Sequence, residues 1–344
     1  MRARFALLLL TPLAAWCGDW NAAAAAKYLD GRASEWAVWP RAAKEGGPCV
    51  SCHTTLGYLM ARPELRHTLR EPVPTEFEKG LVAGVKVRTG KAPAPPTADN
   101  TQAVLAAFVL ATEDARRSAR LGAETEAAFK TMWATQRDDG AWGWTHQDLE
   151  PWEVPESDYF GVALAAVATG VAPDGYQKRP DIQANVTGLK AYLRDRREGQ
   201  PLGNRLVLVW ADSRLEGLVS ASERRAVIDE TWGKQSADGG WTLASLGPWR
   251  DHPKAPPAAP GSNAYATAWA ASMLRMSGVK VDEPHLARAL GWLRSHQDPG
   301  GYWDAVSMNH IYPPGSMMER FMRDATTAYA VLALTDSRLS DGAR

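Results

Sequence analysis

Three seven-residue segments of this chain repeat one pattern: Gln136-Arg137-Asp138-Asp139-Gly140-Ala141-Trp142, Gln235-Ser236-Ala237-Asp238-Gly239-Gly240-Trp241 and Gln297-Asp298-Pro299-Gly300-Gly301-Tyr302-Trp303. Each follows an amphipathic stretch: Glu124 to Thr135, Ser222 to Lys234 and Pro284 to His296. Each precedes, after a loop, a small-residue apolar stretch: Asp158 to Val171, Ser262 to Ser277 and Asp324 to Thr335. A device recurring at such intervals constrains the fold strongly, because one supersecondary unit must generate every copy. Gly and Asp supply the turn, Trp covers it, and the glutamine amide can bond backbone groups left open at a helix end. Many of the 15 tryptophans sit beside Gly or Asp in this way, not in long apolar runs.

The first helix of each unit carries charge on one face and should lie outside. The second is apolar on most sides and should lie in an inner layer. The same alternation recurs elsewhere. Outer helices are predicted over Ala33 to Lys44, Glu76 to Val87 and Ile182 to Arg197, and inner ones over His53 to Ala61, Thr101 to Thr112 and Asn204 to Ser213. The count is six outer and six inner helices, an all-α chain of six hairpins. Lys91 to Asp99 and Ala255 to Ser262 are rich in Pro and polar residues and read as loops.

The Gln-Asp-Gly-Trp turns and the inner helices of Ala-Thr-x-Ala-Tyr-Ala type resemble the repeats of squalene-hopene cyclases and their relatives. The resemblance runs from roughly Ala33 to the end and implies an (α/α)6 toroid. It does not extend to the chemistry. The cyclases protonate their substrate with an Asp-x-Asp-Asp segment at the start of an inner helix. The matching segment here is Asp324-Ala325-Thr326-Thr327, with one carboxylate in place of three. Alkene protonation needs an acid strengthened by its neighbours, so cyclisation is not expected, and Asp324 reads as a helix cap. The related prenyltransferases hold zinc through Asp, Cys and His, and no cysteine remains here for that part.

Cys49-Val50-Ser51-Cys52-His53 is the attachment sequence for a c-type haem. Two thiols three apart can add across the vinyl groups on one porphyrin edge, and the adjacent imidazole is the usual proximal ligand. A thioredoxin-like pair would want a βαβ setting, and structural zinc would want four ligands. The motif stands between an outer and an inner helix, where other repeats carry the tryptophan turn, and Gly46-Gly47-Pro48 retains the glycine turn. In the resembled cyclases that end of the inner helices faces the central cavity, which implies haem at the mouth of an apolar pocket.

Met1-Arg2-Ala3-Arg4, the apolar run Phe5 to Ala15 and the small residues Ala22 to Ala26 read as an export signal over residues 1–26, leaving 27–344 as one domain. The apolar run is too short to span a membrane. Lipid anchoring through Cys17 is less favoured, because Trp16 replaces the small residue expected before it. A periplasmic location agrees with covalent haem attachment, which bacteria perform outside the cytoplasm. Formal net charge is zero, so nothing points to nucleic acid.

These features lead to a periplasmic monohaem c-type cytochrome passing single electrons to a redox partner. The alternatives are a haem-dependent oxidoreductase acting on an apolar, isoprenoid-like molecule in the toroid cavity, and a non-catalytic haem-bearing subunit of a respiratory complex. For the iron's distal face, Met60 and His67 follow His53 too closely. A closed ring would bring the loop Asp304 to Arg323 near the haem, with Met308, His310, Met317, Met318 and Met322. Met322, just before the last inner helix, is the first candidate for the sixth ligand and His310 the second.

Overall fold

The structure, a computed structural model, describes residues 20–91 and 93–335. The segment around Cys17 and most of the predicted export signal lie outside the described residues. Among the described residues the chain forms thirteen helices: α1 (Ala22–Val38), α2 (Thr55–Thr68), α3 (Glu76–Arg88), α4 (Thr101–Arg117), α5 (Ala123–Ala134), α6 (Asp158–Val171), α7 (Gln183–Asp195), α8 (Leu202–Asp212), α9 (Ala221–Gly233), α10 (Leu243–Leu246), α11 (Ala264–Met276), α12 (Pro284–Ser295) and α13 (Phe321–Leu334). The only named strands among them are two of two residues each, Ala43–Lys44 and Gly47–Pro48. The protein is all-α.

Both stretches predicted as loops contain no helix among the described residues. The largest boundary error is in the first helix. The alanine run from Ala22 is a strong helix former, and Asn21 caps it by accepting from the Ala24 amide at 2.9 Å. The helix then ends at Trp39, before Pro40, whose missing N–H and fixed φ favour a new start. Residues 43–48 therefore form a hairpin turning on Gly46 (φ +76°) and Gly47 (φ +131°), where a helix to Lys44 was expected. The predicted signal boundary at residue 26 falls inside α1, where Ala25 and Ala26 are buried.

Helices α2, α4, α6, α8, α11 and α13 each pack on the next in that order, and α13 also packs on α2. On this series lie α1 (against α2 and α13), α5 and α3 (against α4), α7 (α6), α9 (α8) and α12 (α11 and α13). Aromatic rings reach across the series. Phe160 of α6 meets Trp269 of α11 at 6.0 Å, Phe108 of α4 meets Trp210 of α8 at 6.1 Å, and Trp269 meets Tyr329 of α13 edge-on at 4.7 Å. All are buried.

The three tryptophan turns share one geometry. Trp142, Trp241 and Trp303 are buried, and each indole N–H donates to a carbonyl near the end of the preceding helix: Met132 at 2.6 Å, Thr231 at 2.8 Å and Leu293 at 2.8 Å. The glutamine amide of each turn donates to the turn's own glycine carbonyl, on Gly140, Gly239 or Gly301. It also donates to a carbonyl at the start of another charged helix. Gln136 reaches Asn185 of α7, Gln235 reaches His285 of α12, and Gln297 reaches Asn21, the cap of α1. The third pairing joins the two ends of the described chain with the contact that elsewhere joins successive hairpins. No described helix is long and apolar enough to cross a membrane.

Candidate haem site

The segment 49–54 leaves the small hairpin and enters α2. Its backbone is held from several sides. The Cys49 amide donates to the Ala42 carbonyl at 2.8 Å, while Trp36 Nε1 donates to the Cys49 carbonyl at 2.9 Å and Gln102 Nε2 to the Val50 carbonyl at 2.7 Å. The Ser51 hydroxyl accepts from the Thr54 and Thr55 amides at 3.1 and 3.2 Å, satisfying N–H groups that a helix start leaves open. The central Ser51 of the motif is thus the local cap, which places His53 immediately before the first turn of α2.

Cys49, Cys52 and His53 all line one cleft of about 410 Å³, whose walls include Trp36, Glu153 and Phe321. Cys49 is half-buried and Cys52 buried, and burial pushes both thiols up. They are neutral near pH 7. His53 is buried, with its ring stacked on Phe321 at 3.7 Å and met edge-on by Trp36 at 5.5 Å. Burial, with the nearby Arg32 charge, pulls its pKa down to about 3. At neutral pH it is the uncharged imidazole that a metal requires.

His53 Nδ1 lies 2.9 Å from Thr54 Oγ1, and Thr54 Oγ1 donates to Asp324 Oδ2 at 2.9 Å. No described residue hydrogen-bonds Nε2. The nearest charged partner is Glu153 Oε1 at 4.0 Å. Burial, together with Asp99, pushes the Glu153 carboxyl up to about 7. Two thiols at the attachment spacing, with an imidazole presenting a free nitrogen on the same cleft, fit a covalently held haem. Among the described residues no group of three or more His, Cys, Asp and Glu side chains could hold a bare metal ion.

Asp324 is not a cap. Helix α13 begins at Phe321, so Asp324 stands in its first turn, fully buried. Burial raises its carboxyl, and the hydrogen bonds and charge of Arg32 oppose that rise. Of the distal candidates, Met322 packs in the main apolar core and is not among the residues lining the cleft. Its neighbour Met318 lines the cleft, with Arg41 Nη1 3.3 Å from its sulfur. His310 turns Nδ1 to the Ile311 carbonyl at 2.6 Å and packs beside Tyr312. Met308 is buried in the main core, and the sulfur of Met317 accepts from Arg32 at 3.2 Å.

Sequence reasoning missed Glu153, Thr54, Arg32 and Phe321. Only Thr54 carried a signal, its place beside His53. Glu153 comes from the loop between α5 and α6, about a hundred residues away. No protein-family model matches this chain, and no curated protein matches it.

Proposed function

We propose that the chain is a monohaem c-type cytochrome, carried on a closed (α/α)6 ring of the cyclase-like kind and acting outside the cytoplasm as a single-electron carrier. Ring closure is supported by the packing of α13 on α2 and by the Gln297–Asn21 pairing, which reuses the contact between consecutive hairpins. The observation that carries the functional reading is the shared cleft of Cys49, Cys52 and His53, with Nε2 free and Nδ1 engaged.

In this reading Cys49 and Cys52 would hold haem c through their sulfurs, and His53 Nε2 would bind its iron. The bound haem supplies reversible one-electron exchange. The chain's own residues hold the ligand ring between Phe321 and Trp36, limit water at the imidazole, and offer the sulfur of Met318 at the cleft wall as a sixth ligand. That sulfur now ranks ahead of Met322. The oxidoreductase alternative would need apolar space inside the ring, where buried aromatic rings of α4, α6, α8, α11 and α13 meet one another. A haem-bearing respiratory subunit would use the same site and differ only in its partner.

The test is mass spectrometry of the exported protein. It should carry the added mass of one haem, retained through acid-acetone extraction and lost in Cys49→Ala/Cys52→Ala. A haem-free chain from cells competent in haem attachment would overturn the reading.

A further inference from the structure

Four hydrogen bonds converge on one buried carboxylate behind the ligand histidine. Asp324 Oδ1 accepts from Tyr28 Oη at 2.8 Å and from Arg32 Nε at 2.8 Å. Asp324 Oδ2 accepts from Arg32 Nη2 at 2.9 Å and from Thr54 Oγ1 at 2.9 Å. The two-pronged Arg32 contact is the geometry in which guanidinium holds an ionised carboxylate. Helices α1 and α13 supply the pair, and the segment entering α2 supplies Thr54.

Proton counting then fixes the histidine. A threonine hydroxyl carries one hydrogen. A carboxylate bonded to guanidinium can only accept, so the Thr54 hydrogen is spent on Asp324. Toward His53 the same oxygen can therefore only accept, and at 2.9 Å it accepts a hydrogen bond from Nδ1–H. Nδ1 is the protonated nitrogen, and Nε2 keeps its lone pair, with no described residue hydrogen-bonded to it. The ring cannot easily turn to exchange the two, because Phe321 stacks on one face at 21° and Trp36 abuts it at 74°.

We propose that Thr54 and Asp324 are positioning residues that orient His53 as an iron ligand and, through the polarised Nδ1–H, lower the reduction potential of the bound haem. The proposal rests on the haem reading above. Outer partners of this kind fix a histidine's tautomer and raise its basicity as a ligand, and their loss typically costs 10–100-fold in metal affinity. A more basic imidazole favours the ferric state. Removing the relay should therefore shift the equilibrium toward ferrous haem. Asp324 thus acts at one remove through a hydroxyl, and the same carboxylate ties α1 to α13.

The experiment uses the haem-loaded, exported protein and compares wild type with Thr54→Val and Thr54→Ser. Redox titration of Thr54→Val should give a midpoint about tenfold more favourable to the reduced form, about 59 mV higher. Thr54→Ser, which keeps the hydroxyl, should stay within about 18 mV, or twofold, of wild type. Thermal unfolding of the same samples separates a structural role: a lowered Tm with an unmoved potential overturns the relay. If Thr54→Val does not accumulate, NMR of reduced wild type decides. The Nδ1 proton of His53 should resist exchange with deuterium for hours, and exchange within minutes overturns the proposal. Absence of covalent haem from wild type sinks the haem reading itself, whereas covalent haem with an unmoved Thr54→Val potential sinks only the relay.

Discussion

Replacing Gly301 with alanine tests whether the last hairpin clasps the first. Gly301 has φ +92°, a conformation costing an ordinary residue roughly 1–2 kcal/mol. A Cβ placed there would also lie inside van der Waals contact of the Ala24 carbonyl and 2.8 Å from the Ala25 amide nitrogen, both backbone atoms of α1. Backbone cannot rotate aside as a side chain can, so relief requires α1 to lift from the turn. Overpacking of this kind adds about 1–3 kcal/mol. The expected loss is then about 2–5 kcal/mol. Gly175 is the control: its φ is +65° and nothing lies within 4 Å of its added Cβ, so Gly175→Ala should lose only the conformational part, about 1–2 kcal/mol. Gly239→Ala should fall between, because its Cβ would sit 2.9 Å from the Arg288 carbonyl oxygen. Urea unfolding of the purified protein, with midpoints compared at matched slopes, measures all three. If Gly301→Ala loses no more than Gly175→Ala, α1 does not dock on the last turn, and the closed ring fails with it.

Two further outcomes follow from other side chains. Arg205 grips Glu230 with both terminal nitrogens at 2.6 and 2.9 Å, which chiefly accounts for a carboxyl lowered to about 2 from the ordinary 4.5. The folded value is the lower one, so the pair's contribution is present above about pH 4.5 and fades as pH falls through about 2. With Glu230 a third exposed, Arg205→Ala should cost at most about 1 kcal/mol at pH 7. In melts across pH that gap should close near pH 2, and a constant gap would refute the assignment. At the cleft, Met318→Ala should abolish the weak near-infrared band of sulfur bound to iron(III), and Met322→Ala should retain it. The reverse pattern would restore Met322, and a high-spin wild type would mean an open sixth position and revive the oxidoreductase alternative.

The sequence alone determined the hairpins, because their signals are local. A Gln-Asp-Gly-Trp turn carries its own glycine φ, carboxylate bond and indole clamp within about ten residues, and the flanking periodicities report which face each helix buries. The spacing from Cys49 to His53 is readable for the same reason, because it lies within five residues. A local signal can serve two readings. An alanine run is good helix and good cleavage site alike, and only burial against the last turn, with the Asn21 cap, made Ala22 to Ala26 the start of α1. Tertiary structure decided everything around the imidazole. Arg32 and Asp324 lie 292 positions apart, and no pattern in either neighbourhood announces the other. Met318 and Met322 are equally capable of binding iron as residue types. They differ in whether the approach to α13 turns them toward the cleft or the core, which depends on where that helix starts: three residues before Asp324, in a first turn packed against α1 and α2.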